Sequence, residues 1–105
     1  MFEIVFCTVP NEVVAERIAH GLVEQRLAAC VNVIPGVKSF YRWEGEIQAD
    51  DELLLKIKTT AAKREALFAW IAENHPYEVP EALSVRVEAG LPAYLRFVEA
   101  ETAAE

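Results

Sequence analysis

The sequence is poor in cysteine and has no run of basic residues, and each shortage excludes a class of protein. Only two cysteines occur among 105 residues, Cys7 and Cys30, and each stands alone within an apolar stretch. Neither their number nor their spacing fits a disulfide framework or a structural zinc site, so a reducing cytosol is the expected compartment. The net charge of -7 and the lack of a Lys/Arg cluster argue against nucleic acid as a partner.

Long apolar runs are also lacking. No segment approaches the roughly 20 residues that a helix needs to cross a bilayer, and residues 1–6 have no basic leader typical of a signal peptide. We therefore expect a cytoplasmic protein without membrane contact. Hydrophobic residues make up 53% of the chain and charged residues 26%, which favours one folded domain over residues 1–105.

Hydrophobic periodicity predicts alternating strands and helices. The first predicted elements are a strand over 2–9, a helix that ends at about Arg26, and a long hairpin over 30–59 with a bulge at Pro35-Gly36. A second helix follows, capped by Thr59 or Thr60 and ending at about Asn74. The last elements are a strand over 83–88 and a helix opened by Gly90-Leu91-Pro92. Residues 99–105 read as a frayed polar tail. This order predicts an α+β fold, the ferredoxin-like βαββαβ plait with a long β2-β3 hairpin and an extra C-terminal helix.

The hairpin over residues 37–58 is longer than ordinary strands require. Its arms span about ten residues each, against the roughly 5 to 6 usual for strands, and its far end carries Phe40, Tyr41 and Trp43. An exposed apolar ribbon aggregates unless a partner covers it, so we expect head-to-tail pairing into a closed ring, most simply a homotrimer with these aromatics at the interface. The alternative is that the tip folds back and the aromatics join the chain's own core.

Four segments of the sequence together resemble the CutA divalent-cation tolerance family. They are Cys7-Thr8-Val9-Pro10-Asn11, Arg26-Leu27-Ala28-Ala29-Cys30-Val31-Asn32-Val33-Ile34-Pro35-Gly36, Tyr41-Arg42-Trp43-Glu44-Gly45-Glu46-Ile47 and His75-Pro76-Tyr77-Glu78-Val79-Pro80-Glu81. The resemblance spans nearly the whole chain. It implies a ferredoxin-like homotrimer linked to tolerance of copper and other divalent metals, with no established catalytic activity.

The resemblance also implies a copper site, because members of this family are described as binding copper through a first-strand cysteine and two histidines. Here Cys7 and His75 match, while Asn74 replaces one histidine. Thiolate and imidazole suit copper, and the loss of one imidazole should weaken the site. Two structural interpretations compete: Cys7 as a small buried hydrophobe, and His75 as a helix C-cap whose imidazole meets the last carbonyls of its helix.

Two carboxylates in the same loop suggest a harder type of metal site. Glu78 and Glu81, together with Tyr77, could offer oxygen ligands beside His75 at a subunit boundary. The competing interpretation is that these carboxylates face water or a neighbouring lysine, as surface glutamates usually do. The other histidine, His20, reads as a surface residue of the first helix.

Three functions from other classes are alternatives to cation binding. Catalysis is not expected, because the loop after the first strand lacks the glycines and arginine of an anion cradle and no nucleophile stands beside a base. RNA binding is not expected, because the third strand offers Leu53, Leu55 and Ile57 instead of stacking aromatics. The strongest alternative is a trimeric signalling or scaffold protein that binds a protein partner or a small anionic metabolite in clefts between subunits, using Lys38, Arg42, Lys56 or Lys58.

Overall fold

The computed structural model describes residues 1–103, in which strands and helices alternate along the chain. The elements are β1 (Phe2–Val9), α1 (Glu12–Glu24), β2 (Cys30–Trp43), β3 (Glu46–Thr60), a 3-10 turn (Ala61–Lys63), α2 (Arg64–Asn74), β4 (Leu83–Arg86) and α3 (Pro92–Thr102). The side chain of Asn11 caps α1 by accepting the N–H of Val14 at 2.9 Å. The order βαββαβ with an added C-terminal helix confirms the predicted sequence of elements.

The four strands form one antiparallel sheet in the order β2-β3-β1-β4. This strand order is that of the ferredoxin-like plait, so the predicted α+β fold is confirmed. Strand β2 and the short β4 form the two edges of the sheet. The central strands β1 and β3 are paired from Phe2 opposite Thr60 to Val9 opposite Leu53.

The core lies between one face of the sheet and helices α1 and α2. Alternate residues of β1 are buried, since successive side chains of a strand point to opposite faces. The fully or almost fully buried members of the core include Val5, Cys7, Val9, Ala15, Ile18, Leu22, Leu55, Ile57, Leu67 and Ile71. This packing fixes the ends of β1 and α2, which carry the candidate site.

The hairpin of β2 and β3 extends beyond the rest of the sheet. These strands have 14 and 15 residues, against 8 in β1, and within residues 1–103 the segment 46–52 of β3 pairs only with β2. The predicted irregularity at Pro35-Gly36 is confirmed by a register shift between Ile34 and Val37, where Gly36 has a φ of 84°. At the tip, Glu44 and Gly45 both have positive φ, which is the geometry of a type I′ turn.

Two details of the helices differ from the predictions. Neither threonine caps α2 through its side chain: the hydroxyl of Thr59 donates to the Leu27 carbonyl at 2.7 Å, and Thr60 precedes the 3-10 turn without a side-chain bond. The tail does not fray from Glu99, because α3 continues to Thr102, which is buried and donates to the Val98 carbonyl at 2.9 Å. Of the predicted tail, residues 104 and 105 lie outside the described residues.

Within residues 1–103, none of the helices combines the length and the apolar character that crossing a membrane requires.

Candidate functional site

Cys7 lies on the helix-facing side of β1, between Val5 and Val9. Its side chain is fully buried, and its nearest polar contact is a weak one, from Sγ to the Thr8 carbonyl at 3.7 Å. Burial, with added repulsion from the Glu81 and Glu52 carboxylates, raises the pKa of the thiol to about 12. The thiol is therefore protonated at neutral pH and packs as a small apolar side chain.

His75 ends α2 and connects the following loop to β1. Its backbone N–H donates to the Ile71 carbonyl at 2.9 Å, so the residue is the C-cap that the sequence suggests. Its ring does not meet the last carbonyls of α2, however: Nε2 lies 2.8 Å from the Thr8 carbonyl, and Nδ1 accepts the N–H of Tyr77 at 3.1 Å. This pattern assigns a neutral imidazole protonated on Nε2, with both nitrogens engaged.

Glu52 is a buried carboxylate that the sequence alone does not identify as a site residue. It lies in β3 at 7% exposure and accepts a hydrogen bond of 2.7 Å from the Tyr77 hydroxyl. Burial and this bond raise the pKa of Tyr77 well above its usual value. The only sequence signal is a charged residue directly before the apolar run that begins at Leu53, and the burial itself comes from the distant loop.

Glu78 and Glu81 lie in the loop after α2 and are both exposed. Partial desolvation of its carboxyl, together with the nearby charge of Glu52, raises the pKa of Glu81. Among residues 1–103, no lysine or arginine forms an ion pair with Glu52, Glu78 or Glu81. The end of the sheet next to Cys7 therefore carries negative charge that the described chain does not neutralise.

The structure brings Cys7 and His75 to neighbouring positions at the end of β1, where both contact the Thr8 carbonyl. Glu78 and Glu81 do not join these two residues in a preformed metal site within the described chain. Within the described part of the chain, no group of three or more His, Cys, Asp or Glu residues is arranged to hold a metal ion. Asn74 turns away from this site, since its side-chain amide donates to the Trp70 carbonyl at 2.8 Å.

A surface cavity of about 360 Å³ opens beside this group, between the hairpin and the loop after α2. It is lined by Tyr41, Trp43, Pro76, Tyr77, Glu78 and Val79. The hydroxyl of Tyr41 donates to the Asp50 carboxylate, and this bond raises the pKa of Tyr41. The cavity wall therefore contains three aromatic side chains, and both of its phenols are hydrogen-bonded to carboxylates.

The hairpin leaves large apolar side chains in contact with water. Phe40 and Ile47 are 70% exposed, Tyr41 is 43% exposed and Trp43 is 39% exposed. The tip does not fold back onto the core, so the alternative suggested for it in the sequence analysis is wrong. The exposed aromatics are the same residues that the sequence assigns to an interface.

The basic residues suggested for an anion site are distributed along the hairpin. They are Lys38 and Arg42 on β2 and Lys56 and Lys58 on β3. Lys38 lies 3.3 Å from the Asp51 carboxylate, and the Lys58 ammonium contacts the Asn32 side chain. Arg42 donates to the Gly45 carbonyl at 3.5 Å, so three of the four are engaged within the chain. His20 is exposed on α1 and lies 3.7 Å from Glu24, as expected for a surface residue.

Comparison with known proteins places this architecture in a defined group. The family model described as CutA1 divalent ion tolerance protein matches residues 3–101. The Xenopus laevis protein named "Protein CutA homolog" is 50% identical over 93 residues, which are 89% of this chain and 62% of that protein. The mouse protein named "Protein CutA" is 48% identical over 92% of this chain and 55% of its own length. The chain thus spans less than two thirds of these two relatives.

One bacterial relative matches over almost its whole length. The Thermus thermophilus protein named "Divalent-cation tolerance protein CutA" is 47% identical, with 97% of this chain and 99% of that protein covered. The solved structure of a T. thermophilus divalent cation tolerance protein superposes with a TM-score of 0.95, covering 98% of this chain and 100% of that one. The Oryza sativa CutA1 structure also gives 0.95, at 38% identity, covering 99% of this chain and 95% of that one. Sequence and fold therefore agree over nearly every residue, and the chain belongs to the CutA1 family of divalent ion tolerance proteins.

Proposed function

We propose that this chain is a homotrimeric, non-enzymatic protein, one domain per subunit, that binds copper or another divalent cation weakly through Cys7, His75, Glu78 and Glu81. The observation that carries the proposal is the negative charge of Glu81 and Glu52 near Cys7, which no described lysine or arginine pairs with and which adds to burial in raising the pKa of the Cys7 thiol. A cation in this region relieves that repulsion. Carboxylate oxygens, a thiolate and an imidazole are together suitable ligands for copper and similar ions.

The same contacts explain why the binding should be weak. With a pKa of about 12, forming the Cys7 thiolate at pH 7 costs about 7 kcal/mol. His75 can offer a nitrogen only by giving up its bond to the Thr8 carbonyl or to the Tyr77 N–H. The metal–ligand bonds must offset these costs, and affinity should rise with pH because binding releases the thiol proton.

The homotrimer is supported by the shape of the hairpin and by its exposed aromatics. Residues 46–52 of β3 have no partner strand besides β2, and the outer edge of β2 is unpaired within the described chain. Pairing the β2 edge of one copy with the β4 edge of the next leaves no edge free once the ring closes. Phe40, Tyr41 and Trp43 would then contribute contacts to the interface with the neighbouring subunit.

Location and partners follow from composition and remain part of the proposal. The two unpaired cysteines favour a reducing cytoplasm, although an Arabidopsis thaliana relative is named chloroplastic and an Archaeoglobus fulgidus structure periplasmic. The net charge of -7 disfavours nucleic acid. The names of the bacterial relatives point to a tolerance protein, and we expect this chain to have no catalytic activity of its own.

Calorimetric titration with Cu²⁺, repeated with Cd²⁺ because it does not oxidise thiols, tests the metal site. We expect Cys7→Ala, His75→Ala and Glu81→Gln each to weaken binding by a factor of roughly 10 to 100, the loss usual even for groups that only support a ligand. The matched controls Cys30→Ala and His20→Ala should bind as the parent does. Equal affinity and stoichiometry in the parent and the three site variants, each shown to be folded by its melting curve, would remove these residues from the site.

A further inference from the structure

The cavity between the hairpin and the loop after α2 has the size of an organic ligand site. Its volume of about 360 Å³ falls within the range of roughly 300 to 1,000 Å³ found for small-molecule pockets. A metal ion needs only oxygen or nitrogen ligands at roughly 2 to 2.6 Å and leaves most of such a space unused. Of the four proposed metal ligands, Cys7, His75 and Glu81 do not line the cavity, and Glu78 is the one residue that the two sites share.

Three carboxylates lie on the wall of this cavity or bond to residues that line it. Glu78 lies on its wall, and the phenols of Tyr41 and Tyr77 donate to the carboxylates of Asp50 and Glu52. In the part of the chain that the structure describes, no lysine or arginine pairs with any of these three carboxylates. These carboxylates favour a cationic ligand over an anionic metabolite.

The wall is also rich in aromatic groups. Tyr41, Trp43 and Tyr77 supply one indole and two phenols, and a cation is attracted to the electron-rich face of such rings. Each phenol that donates its proton to a carboxylate gains electron density in its ring, which strengthens that attraction. The hydrogen bonds of Tyr41 and Tyr77 thus strengthen the attraction of their rings for a cation and hold the rings in place.

We propose that this cavity binds a small organic cation of the alkylammonium class, held by aromatic faces and the surrounding carboxylates. All six lining residues come from a single chain, and five of them take no part in the proposed metal site. Pro76 and Val79 add apolar contacts that suit alkyl groups. Because Tyr41 and Trp43 also belong to the proposed subunit interface, the site is tested on the protein in its native assembly.

Titration with choline, compared with its neutral carbon analogue 3,3-dimethylbutan-1-ol, separates charge from shape. The readout is intrinsic tryptophan fluorescence, since Trp43 lines the cavity, and calorimetry provides the affinity; sodium chloride at equal ionic strength is the blank. We expect choline to bind at least roughly tenfold more tightly than the alcohol, because only the cation interacts with rings and carboxylates. Equal affinity for the two compounds, or no binding of choline, would overturn the proposal.

Paired variants locate the binding. Tyr41→Leu should weaken choline binding roughly 3- to 30-fold, whereas Tyr41→Phe, which keeps the ring, should stay closer to the parent. Glu78→Gln should weaken binding without altering the fold, because Glu78 is exposed, and the equally exposed Glu88→Gln is its matched control. Cys7→Ala should leave choline affinity unchanged, which distinguishes this site from the metal site. Parental affinity in both Tyr41→Leu and Glu78→Gln would place choline elsewhere.

Discussion

At the scale of single residues, the two side chains best matched to a metal site are already engaged in the fold. The Cys7 thiol is fully buried and protonated, and the His75 ring bonds to the Thr8 carbonyl and the Tyr77 amide. These contacts join the loop after α2 to the end of β1. Any ligand role for either residue must therefore compete with a structural one.

The raised pKa of Cys7 predicts a loss of stability in alkaline solution. Its folded pKa of about 12, against an ordinary 9.0, means that only the unfolded chain releases this proton between those pH values. The unfolded state then binds fewer protons than the native state, so the free energy of unfolding falls as pH rises. The contribution reaches about 4 kcal/mol by pH 12, and the Tyr77 phenol acts in the same direction.

Urea unfolding between pH 8 and pH 11, with EDTA and a reductant present, measures this slope. Cys7→Ala should show a shallower fall than the parent. Val9→Ala truncates a neighbour on the same buried face and should lose stability at every pH while it keeps the slope of the parent. Parallel pH profiles for Cys7→Ala and the parent would show that the thiol does not contribute.

At the scale of elements, the packing of α1 against α2 depends on one small residue. A Cβ built on Gly21 would lie 2.5 Å from Cη2 and Cζ2 of Trp70, closer than any real contact. The tip of the indole therefore lies directly on the backbone of α1. The sequence pattern assigns both residues to helices but does not reveal that they meet.

Gly21→Ala should therefore destabilise the protein, although alanine is the better helix former by about 0.5 to 1 kcal/mol. The indole must move, and overpacking of this kind costs about 1 to 3 kcal/mol. In a Trp70→Leu background the same substitution should become neutral or stabilising, which a double-mutant cycle by chemical denaturation detects. A more stable Gly21→Ala single variant would contradict this account of the contact.

At the scale of the whole molecule, the chain is elongated, with extents of 44 × 25 × 21 Å. The long dimension suits the hairpin, which passes beyond β1 and β4 and exposes Phe40 on β2 and Ile47 on β3, each at 70%. An exposed ribbon of this kind is an aggregation hazard for an isolated monomer. Self-association is the simplest way to cover it.

Trp43→Ala should weaken the proposed trimer, because large aromatic anchors contribute disproportionately to an interface. Truncating a buried aromatic costs roughly 3 to 5 kcal/mol, and ring symmetry repeats that cost at each interface. Sedimentation at nanomolar concentration should show dissociation of this variant. Leu91→Ala, which alters a 72% exposed residue at the start of α3, should leave the assembly intact. Identical sedimentation of Trp43→Ala and the parent would argue against an interface at this position.

Periodicity and turn chemistry in the sequence determined the element order, the long hairpin, its bulge at Pro35-Gly36 and the end of α2 at Asn74, because each depends on neighbouring residues. The start of α2 and the length of α3 were not predictable locally, since Thr59 and Thr102 are held by contacts formed in the folded state. Local patterns therefore specify the plait but not every boundary.

The sequence by itself also determined the family and the residue types of the candidate site. Only the tertiary structure decided that Glu52 is buried beneath Tyr77 and that the His75 ring uses both nitrogens. The reason is distance along the chain: the partners of these bonds are 25 and 67 positions apart, and no local pattern encodes which loop will cover which strand. Burial, and with it the pKa of Cys7 and the charge of the site, emerges only when those segments meet.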